Sequence, residues 1–468
     1  MTELKLDETL QIEQSVAIKG SLTSITCMKD TTQPAIEIRS NDVLLGGFNF
    51  VGCNLNSTSG LIQVKGAENV TLTDMVFERN VNTNGPSCLL AINSTIEIQN
   101  TTAKNNRGVY GGAMSFVRGS EVVVVNSSFE SNNATQQGGA IHMNNTNLDL
   151  SNSLFTENLA LDDGGAIFAV GGVQNSILRI TGSTFQGNSA TSTGGALWFR
   201  GTFKCSIDKS IFKRNKANVA GGAIFGSKLS SVKLSATSFS DNSCGPDFFP
   251  STVSQCSSVS VESVNKSADT KGGAVLLSDV LEIKIVESNF TKNQAQSGGA
   301  FFVNAFAPVT TNLEVSGTTF ERNSAAANGL GGAMALLGDE IFAQLDNVTF
   351  LDNTAEGRGG STGGGAIWGG QIRSIKISRS IFSRNKAVEQ EKDDGEQEGS
   401  FWGALFFLQP YLKLQLKCPH SPETKQHRWV GQLRSWQRGS TDLIRISLDA
   451  HSMETQLFLI QGQHLEVL

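Results

Sequence analysis

A pair of interleaved repeats is the feature of this sequence that most limits its fold. Ten regularly spaced Phe residues are each followed three positions later by Asn, and a Gly-Gly-Ala-apolar motif alternates with these pairs. The Phe/Asn pairs are Phe77/Asn80, Phe129/Asn132, Phe155/Asn158, Phe185/Asn188, Phe212/Asn215, Phe239/Asn242, Phe290/Asn293, Phe320/Asn323, Phe350/Asn353 and Phe382/Asn385. The apolar residues that close the second motif are Met114, Ile141, Ile167, Leu197, Ile224, Val275, Phe301, Met334 and Ile367.

The spacing of the Phe residues is that of a solenoid. Neighbouring copies lie 26 residues apart at Phe129 and Phe155 and 32 apart at Phe350 and Phe382. A unit of this length with short strands cannot bury its apolar side alone, but it can when each copy stacks on the next. Phe50 with Cys53 extends the series toward the N-terminus.

Two wider gaps each predict a coil with a degenerate motif. In the 52 residues between Phe77 and Phe129, Ala103 and Asn106 occupy the motif positions. The 51 residues between Phe239 and Phe290 are interpreted in the same way, as two coils with a worn motif around residues 261–265.

The segments between the motifs are strands. Apolar and polar residues alternate in Leu148-Asp149-Leu150, Leu178-Arg179-Ile180 and Val232-Lys233-Leu234, which is typical of a strand with one buried face. We therefore predict an all-β fold, a right-handed parallel β-helix of about 12–14 coils with a non-repeat C-terminal tail.

The motif residues suit such a helix. Asn tolerates left-handed backbone angles, and identical amides stacked at about 4.8 Å can form a hydrogen-bonded ladder, with the Phe rings stacked beside them. The Gly pair allows positive φ and close backbone approach. The predicted structural ladder is Phe129, Asn132, Phe155, Asn158, Phe185, Asn188, Phe212, Asn215, Phe239, Asn242, Phe290, Asn293, Phe320, Asn323, Phe350 and Asn353.

These paired motifs resemble the repeats of the chlamydial polymorphic membrane proteins, within the pectin lyase-like β-helix superfamily. The resemblance covers roughly Phe50 to Leu405. It implies a β-helical surface adhesin, outer-membrane-associated if the chain is bacterial.

The two ends of the chain differ from its middle. We place the β-helix in residues 1–410, with an acidic loop at 389–399, and a capping or poorly ordered tail at 411–468. The first residues lack both the layout of a signal peptide and a segment that would cap an exposed sheet edge, so we expect an incomplete N-terminus. His420, His427, His451 and His464 in the tail match no metal-ligand spacing.

Charge and hydropathy argue against nucleic-acid binding and against a transmembrane segment. The net charge is −6 and the Lys and Arg residues are interpreted as scattered singly, so no basic patch for nucleic acid is expected. No apolar run of about eighteen residues occurs, so no transmembrane segment is predicted.

The cysteines predict a single disulfide and no metal site. Cys244 and Cys256 bracket a Pro-containing loop and form the candidate pair, with two unpaired thiols as the alternative. The seven cysteines form no CxxC motif and no Cys/His cluster, so neither a zinc site nor another cofactor is expected.

A polysaccharide-active enzyme is the alternative class on this fold, either a pectate lyase or a polygalacturonase-like hydrolase. Its chemistry needs carboxylates close together, and the best local pair is Asp162-Asp163. His142 is the only histidine within the coils, and Asp208, Asp241 and Asp279 are dispersed. Because turn-forming Asp explains these residues, no catalytic residue is predicted.

A column of large residues one place after the Gly-Gly-Ala-apolar motif is the candidate binding surface. Side chains alternate along a strand, so this column faces away from the apolar column that precedes it. If exposed, its rings would suit flat sugar faces or a protein partner; the alternative is that a loop covers it or that it faces inward. The tentative binding residues are His142, Phe168, Trp198, Phe225, Phe302 and Trp368.

Glycosylation sequons add a weak indication of an extracellular or cell-surface protein. They occur at Asn56, Asn69, Asn93, Asn100, Asn126, Asn133, Asn144, Asn265, Asn289 and Asn347, a small excess over what the composition gives. We therefore favour a non-enzymatic protein with an adhesive, ligand-binding or structural role. Glycans or cell-surface proteins are its expected partners.

Overall fold

The computed structural model describes most of the repeat region and five strands of the C-terminal part. The described residues are 3–6, 8–27, 31–172, 176–245, 270–358, 363–390, 405–409, 413–417, 435–437, 442–448 and 455–461. Contacts divide the chain into two compact units, Met1–Asn218 with Gly222–Ser230 and Pro246–Val259, and Val219–Gly221 with Ser231–Gly245 and Ser260–Leu468.

Each unit is an all-β parallel solenoid, so the predicted fold class is confirmed. One coil of the first unit shows the plan. Ile141–Asn144 lies on what we call the GGAx face, Asn147–Ser151 and Leu154–Thr156 lie on the Phe face, and Leu159–Ala160 forms the Asn edge. Every one of these strands pairs in parallel with its equivalent one coil away.

The first unit repeats this plan over nine GGAx-face strands among the described residues. Its GGAx face consists of Leu10–Ile12, Ile36–Ile38, Ile62–Lys65, Leu89–Ile92, Met114–Val117, Ile141–Asn144, Ile167–Val170, Leu197–Arg200 and Ile224–Ser227. Its Phe face consists of Glu3–Lys5, Val16–Thr26, Val43–Val51, Val70–Thr73, Val76–Glu78, Thr95–Gln99, Thr102–Lys104, Glu121–Val125, Ser128–Glu130, Asn147–Ser151, Leu154–Thr156, Ser176–Thr181, Thr184–Gln186, Phe203–Asp208 and Ile211–Lys213. Its Asn edge consists of Asn54–Leu55, Val81–Asn82, Arg107–Gly108, Asn133–Ala134, Leu159–Ala160, Ser189–Ala190 and Lys216–Ala217.

The second unit follows the same plan. Its GGAx face consists of Val275–Ser278, Phe301–Asn304, Met334–Leu337, Ile367–Gly370 and Leu405–Gln409. Its Phe face consists of Ser231–Ser235, Ser238–Ser240, Glu282–Val286, Asn289–Thr291, Thr311–Ser316, Thr319–Glu321, Ile341–Asp346, Thr349–Leu351, Ser374–Ser378, Ile381–Ser383 and Lys413–Lys417. Its Asn edge consists of Ser243–Cys244, Gln294–Ser297, Ser324–Leu330, Thr354–Arg358 and Lys386–Gln390.

Three further strands belong to the C-terminal part. Ser435–Gln437, Asp442–Leu448 and Thr455–Gln461 pair antiparallel, and the last of them runs parallel to Leu405–Gln409. The predicted acidic loop and the four tail histidines lie outside the described residues, apart from positions 389 and 390 at the end of an Asn-edge strand.

One of the two predicted degenerate coils is present. Ala103 pairs with Phe77 on one side and with Phe129 on the other. Asn106 accepts hydrogen bonds from the backbone N–H and the side-chain amide of Asn80, both at 3.0 Å. The coil is therefore complete although its Phe is replaced by Ala.

The second predicted degenerate coil is wrong. Phe239 pairs directly with Phe290, and their rings stack with centroids 4.7 Å apart. The strands before them pair as well, Ser231–Ser235 with Glu282–Val286. The 51-residue gap is thus one coil with a long insertion, and residues 261–265, which were assigned to the missing coil, lie outside the described residues.

The motif Phe side chains stack in each unit, and in the first unit Ala103 interrupts the stack between Phe77 and Phe129. Phe155, Phe185 and Phe212 lie in one file, with ring centroids 4.8 Å apart and interplanar angles of 10° and 1°. In the second unit the stack runs from Phe239 to Phe382. Stacking follows from the parallel register, because equivalent residues of neighbouring coils lie about one strand spacing apart.

The Asn side chains form a buried ladder beside the Phe stack. The Nδ2 group of Asn158 donates to the carbonyl of Phe129 in the preceding coil and to Oδ1 of Asn188 in the next, both at 2.9 Å. Oδ1 of Asn158 accepts from the backbone N–H and from Nδ2 of Asn132. Each amide is therefore fully hydrogen-bonded in the interior, where an unpaired polar group would be costly.

The motif residues Asn132 and Asn158 do not use the left-handed backbone angles that Asn tolerates. The residue just before the Asn takes the positive φ: Ser131 has φ 51° and Glu157 has φ 56°. Because the preceding residue makes the turn, the Asn side chain is free to point inward.

Two further features complete the coil. Ser or Thr two places before the motif Phe forms a second ladder, in which the backbone N–H of Ser127 donates to Oγ of Ser153 at 3.1 Å. The two roles predicted for the Gly pair, a positive φ and a close backbone approach, belong to one glycine each. Gly164 has φ 67°, whereas Gly165 lies so close to the next coil that a Cβ there would overlap the Ser189 backbone.

We predict that Asn158→Ala destabilises the protein by about 3 kcal/mol, because it leaves the Asn132 N–H and the Phe129 carbonyl without their buried partners. Asn144→Ala, at an exposed position on the GGAx face, is the matched control and should change stability by less than about 0.5 kcal/mol. Denaturant unfolding measures both, and equal effects would contradict the role of the ladder.

Candidate functional site

The predicted binding column exists as a stack on the outward side of the GGAx face. His142, Phe168, Trp198 and Phe225 are register partners of successive coils. Their ring centroids are 5.4, 4.3 and 5.9 Å apart, with interplanar angles of 7°, 11° and 13°. In the second unit Ala335 lies between Phe302 and Trp368.

Of the two alternatives for this column, the structure shows the covered one. His142 and Trp198 are 9% exposed, and the other four binding candidates, Phe168, Phe225, Phe302 and Trp368, are 2–5% exposed. Rings covered to this extent cannot offer their faces to a sugar or to a protein. The binding role considered for the six residues required exposed rings, so these buried side chains do not form the binding surface.

The loop that carries the Gly pair explains this burial. A Cβ on Gly194 would lie 3.0 Å from Cβ of Trp198, so the loop folds against the outer side of the strand that it enters. The residue before the Gly pair covers the next coil: Tyr110 packs on His142 at 5.4 Å, and Nζ of Lys271 lies 5.4 Å from the Phe302 centroid. The column is thus a second core, enclosed by these loops.

A serine and a histidine form the most chemically distinctive pair in this second core. Oγ of Ser115 lies 3.1 Å from Nδ1 of His142, and burial lowers the pKa of His142 to about 4. A hydroxyl beside an imidazole is also the arrangement of a nucleophile and its base. Here, however, Ser115 is 3% exposed and the imidazole is stacked on Phe168, so the pair is part of the packing.

The carboxylates of Asp162 and Asp163, the pair that the sequence singled out, accept hydrogen bonds from opposite neighbouring coils. Nε2 of Gln137 donates to Asp162 at 3.1 Å, whereas the backbone N–H and the hydroxyl of Thr193 donate to Asp163 at 2.9 and 2.5 Å. Burial, followed by the charge of Asp162, raises the pKa of Asp163 to about 6. Burial also raises the pKa of Asp162.

The other acidic residues considered for catalysis lie at separate places. Asp208 ends a strand of the Phe face in the first unit, and Asp241 and Asp279 adopt left-handed turns with φ 55° and 53°. This is the turn-forming role expected from the sequence. Among the described residues no group of three His, Cys, Asp or Glu side chains could hold a metal ion.

Of the candidate disulfide pair Cys244 and Cys256, the structure describes only Cys244. Cys244 is a free, buried thiol, and burial raises its pKa to about 12. Cys256 lies outside the described residues. The Pro-containing loop suggested a pairing that depends on the path of the insertion, which the sequence does not define.

A disulfide that the sequence analysis missed joins Cys27 to Cys53. The two residues are 26 positions apart, which is one coil, and this spacing was the available signal. Cys53 occupies the Asn position after Phe50, and its backbone N–H donates to Oδ1 of Asn80 at 3.0 Å. The disulfide therefore replaces the amide ladder at its N-terminal end.

Together these features define a class: parallel β-solenoids whose coils are fixed by internal ladders and whose aromatic column is buried. Residues 126–144, 152–170, 182–200 and 347–370 match the model of the Chlamydia polymorphic membrane protein repeat. The predicted resemblance is confirmed, since these segments contain the motifs on which it was based.

The receptor-binding domain of the siphovirus 9NA tailspike is similar at 10% identity and a TM-score of 0.21, covering 97% of this chain and 81% of that one. A TM-score this low supports no argument. Among curated proteins no relative matches the chain.

We predict that Asp163→Asn stabilises the protein at pH 7 by about 2 kcal/mol, because folding favours the neutral form of a carboxyl whose pKa rises from 3.8 to about 6. The stability that the neutral group contributes is complete below pH 3.8 and is lost as the pH rises through 6. The variant and the wild type should therefore be equally stable near pH 4.

Denaturant unfolding between pH 4 and pH 8 measures this difference. Asp162→Asn, at the half-buried neighbour, is the control and should show a smaller effect in the same direction. A variant that is less stable than the wild type throughout this pH range would mean that Asp163 is charged in the folded protein.

Proposed function

We propose that this protein is a surface or extracellular β-helix protein that acts by adhesion, ligand binding or structural support, and not by catalysis. The observation that carries the proposal is the Cys27–Cys53 disulfide between successive coils. Disulfides persist in oxidising compartments and are rare in reducing ones. Their presence in a repeat protein of this kind supports a location outside the cytoplasm.

The repeat family supports the same proposal. The matched repeat is that of the Chlamydia polymorphic membrane proteins, which are membrane proteins by their name. No helix among the described residues is long and apolar enough to cross a membrane.

The sequons are placed where a surface protein could carry glycans. Eight of them are exposed in the structure: Asn56, Asn69, Asn93, Asn100, Asn126, Asn144, Asn289 and Asn347. Asn133 is half-buried, and Asn265 lies outside the described residues. Exposure supports, for these eight, the glycoprotein character inferred from the sequence.

The chemistry of the described residues favours binding over catalysis. The polar side chains that would be needed for catalysis, Ser115, His142 and Asp163, are buried and bonded to neighbouring coils. An acid or a nucleophile must reach its substrate within hydrogen-bond distance. Glycans and cell-surface proteins are the proposed partners.

The test uses intact cells that produce the protein. We expect a membrane-impermeant amine reagent to label the chain, and Cys27 and Cys53 to resist alkylation until a reductant is added. The purified chain should release no products from pectate, polygalacturonate or other plant and bacterial polysaccharides. Labelling only after lysis would contradict the location, and release of unsaturated or reducing ends would favour the alternative of a polysaccharide lyase or glycoside hydrolase.

A further inference from the structure

One coil of the first unit concentrates positive charge on the Phe face. Lys204, Lys209, Lys213 and Arg214 all belong to the coil that contains Phe203–Asp208 and Ile211–Lys213. Lys204, Lys209 and Arg214 are exposed, and Lys213 is half-exposed. The expectation that cations are scattered singly is therefore wrong here, since in a chain of net charge −6 four of them lie on the Phe face of one coil.

These cations have few acidic partners. The side chain of Lys209 is 74% exposed, and its Nζ lies 3.9 Å from Asp208, a weak pairing. In the part of the chain that the structure describes, Lys204, Lys213 and Arg214 form no ion pair. Their charge is therefore available to a ligand.

The preceding coil explains why the charge is not neutralised. Gln186 and Gly187 of that coil occupy the same repeat positions as Lys213 and Arg214. Gly182 occupies the same repeat position as Lys209. No Asp or Glu occurs from Ser176 to Ala190. The one cation of that coil, Arg179, is paired with Asp149 at 2.7 Å in the coil before it.

The second unit shows the opposite arrangement at the same repeat positions. Arg384, like Arg214, is the second residue after the motif Phe, and it donates to Asp352, the second residue after Phe350, at 2.6 and 2.9 Å. Arg379, like Lys209, is the third residue before the motif Phe, and it pairs with Asp346. The fold thus places cations at these positions in both units but neutralises them in only one.

Beside the cations, the preceding coil presents hydroxyl, amide and apolar side chains. Thr181, Thr184, Gln186 and Ser189 are half-exposed on the preceding coil and offer hydroxyl and amide groups. Exposed apolar side chains lie among them: Ile177 is 41% exposed and pairs with Lys204, and Ile211 is 45% exposed and pairs with Thr184.

We propose that this basic strip, defined as Lys204, Lys209, Lys213 and Arg214 with the outward residues of 176–190, binds an acidic polysaccharide. Each sugar of such a chain carries hydroxyls and an apolar C–H face, and many carry a carboxylate or a sulfate. Cations, hydrogen-bonding groups and exposed Ile side chains match these three features. Four cations in a chain of net negative charge are too few for a nucleic acid of high charge density.

This inference rests on the proposed function, because it names a partner class for a surface protein. The two remain separable in experiment. Surface labelling tests the location, and binding by the purified chain tests the strip.

The test measures binding of the full chain to polygalacturonate, which carries carboxylates, and to dextran sulfate, which carries sulfates, with neutral dextran as reference. The variant is Lys209→Asn with Arg214→Gly. These replacements already occur at the same repeat positions of other coils, as Asn152 and Gly187. We expect binding that weakens with added salt and is about tenfold weaker in this variant. The two polymers show which acid group is preferred.

The matched control is Arg379→Asn with Arg384→Gly. It removes the same charge at the same repeat positions, but there the cations are already paired. Its binding should change less than twofold. Circular dichroism and the unfolding transition verify that both variants are folded.

Several results would overturn the proposal. One is an absence of binding to both acidic polymers at low salt, and another is an equal loss in the two variants, which would indicate a general charge effect. A third is tighter binding to polyglutamate, to DNA or to phosphatidylserine vesicles than to either polysaccharide, which would identify the occupant as an acidic peptide, a nucleic acid or a membrane.

Discussion

The buried amide ladder is the interaction on which the rest of this structure depends. Each Asn side chain bonds to the coil before it and to the coil after it, so a shift of one coil against the next would leave buried amide groups unpaired. The Phe stack contributes apolar burial but tolerates a gap, as Ala103 shows. Asn106 of the same coil is retained, and there the ladder is unbroken. At the N-terminal end Cys53 takes the place of the amide and the link becomes covalent.

The sequence predicted the features that arise when equivalent residues of neighbouring coils stack on one another. The period, the parallel strands, the Phe file and the amide ladder all follow from the motif spacing, because equivalent residues of neighbouring coils must meet. The degenerate coil at Ala103 was predicted for the same reason. The spacing of Cys27 and Cys53, which is one coil, also indicated that these two residues are neighbours. The sequence analysis instead favoured Cys244 and Cys256, which are close in sequence.

The sequence could not predict what depends on the path of the loops. Alternation places Trp198 on the outward side of its strand, but only the fold of the Gly-Gly loop decides whether that side is covered. The insertion after Phe239 was mistaken for a coil because a long loop and a worn repeat have the same length. The basic strip could not be predicted, because a cation is neutralised or not according to the acidic residues that lie beside it on the preceding coil. Identifying those residues requires the register of the coils.

A disulfide trap across two coils tests the predicted register most directly. Thr156 and Gln186 are register partners on the half-exposed side of the Phe face, and Thr184 lies on the same side two residues away. Partners in adjacent parallel strands have Cα atoms about 5 Å apart, which suits a disulfide, whereas residues offset by two do not. Thr156→Cys with Gln186→Cys should therefore oxidise rapidly and completely in the folded protein, and Thr156→Cys with Thr184→Cys should not. Preferential closure of the offset pair would contradict the stacking of like residues on which this account is built.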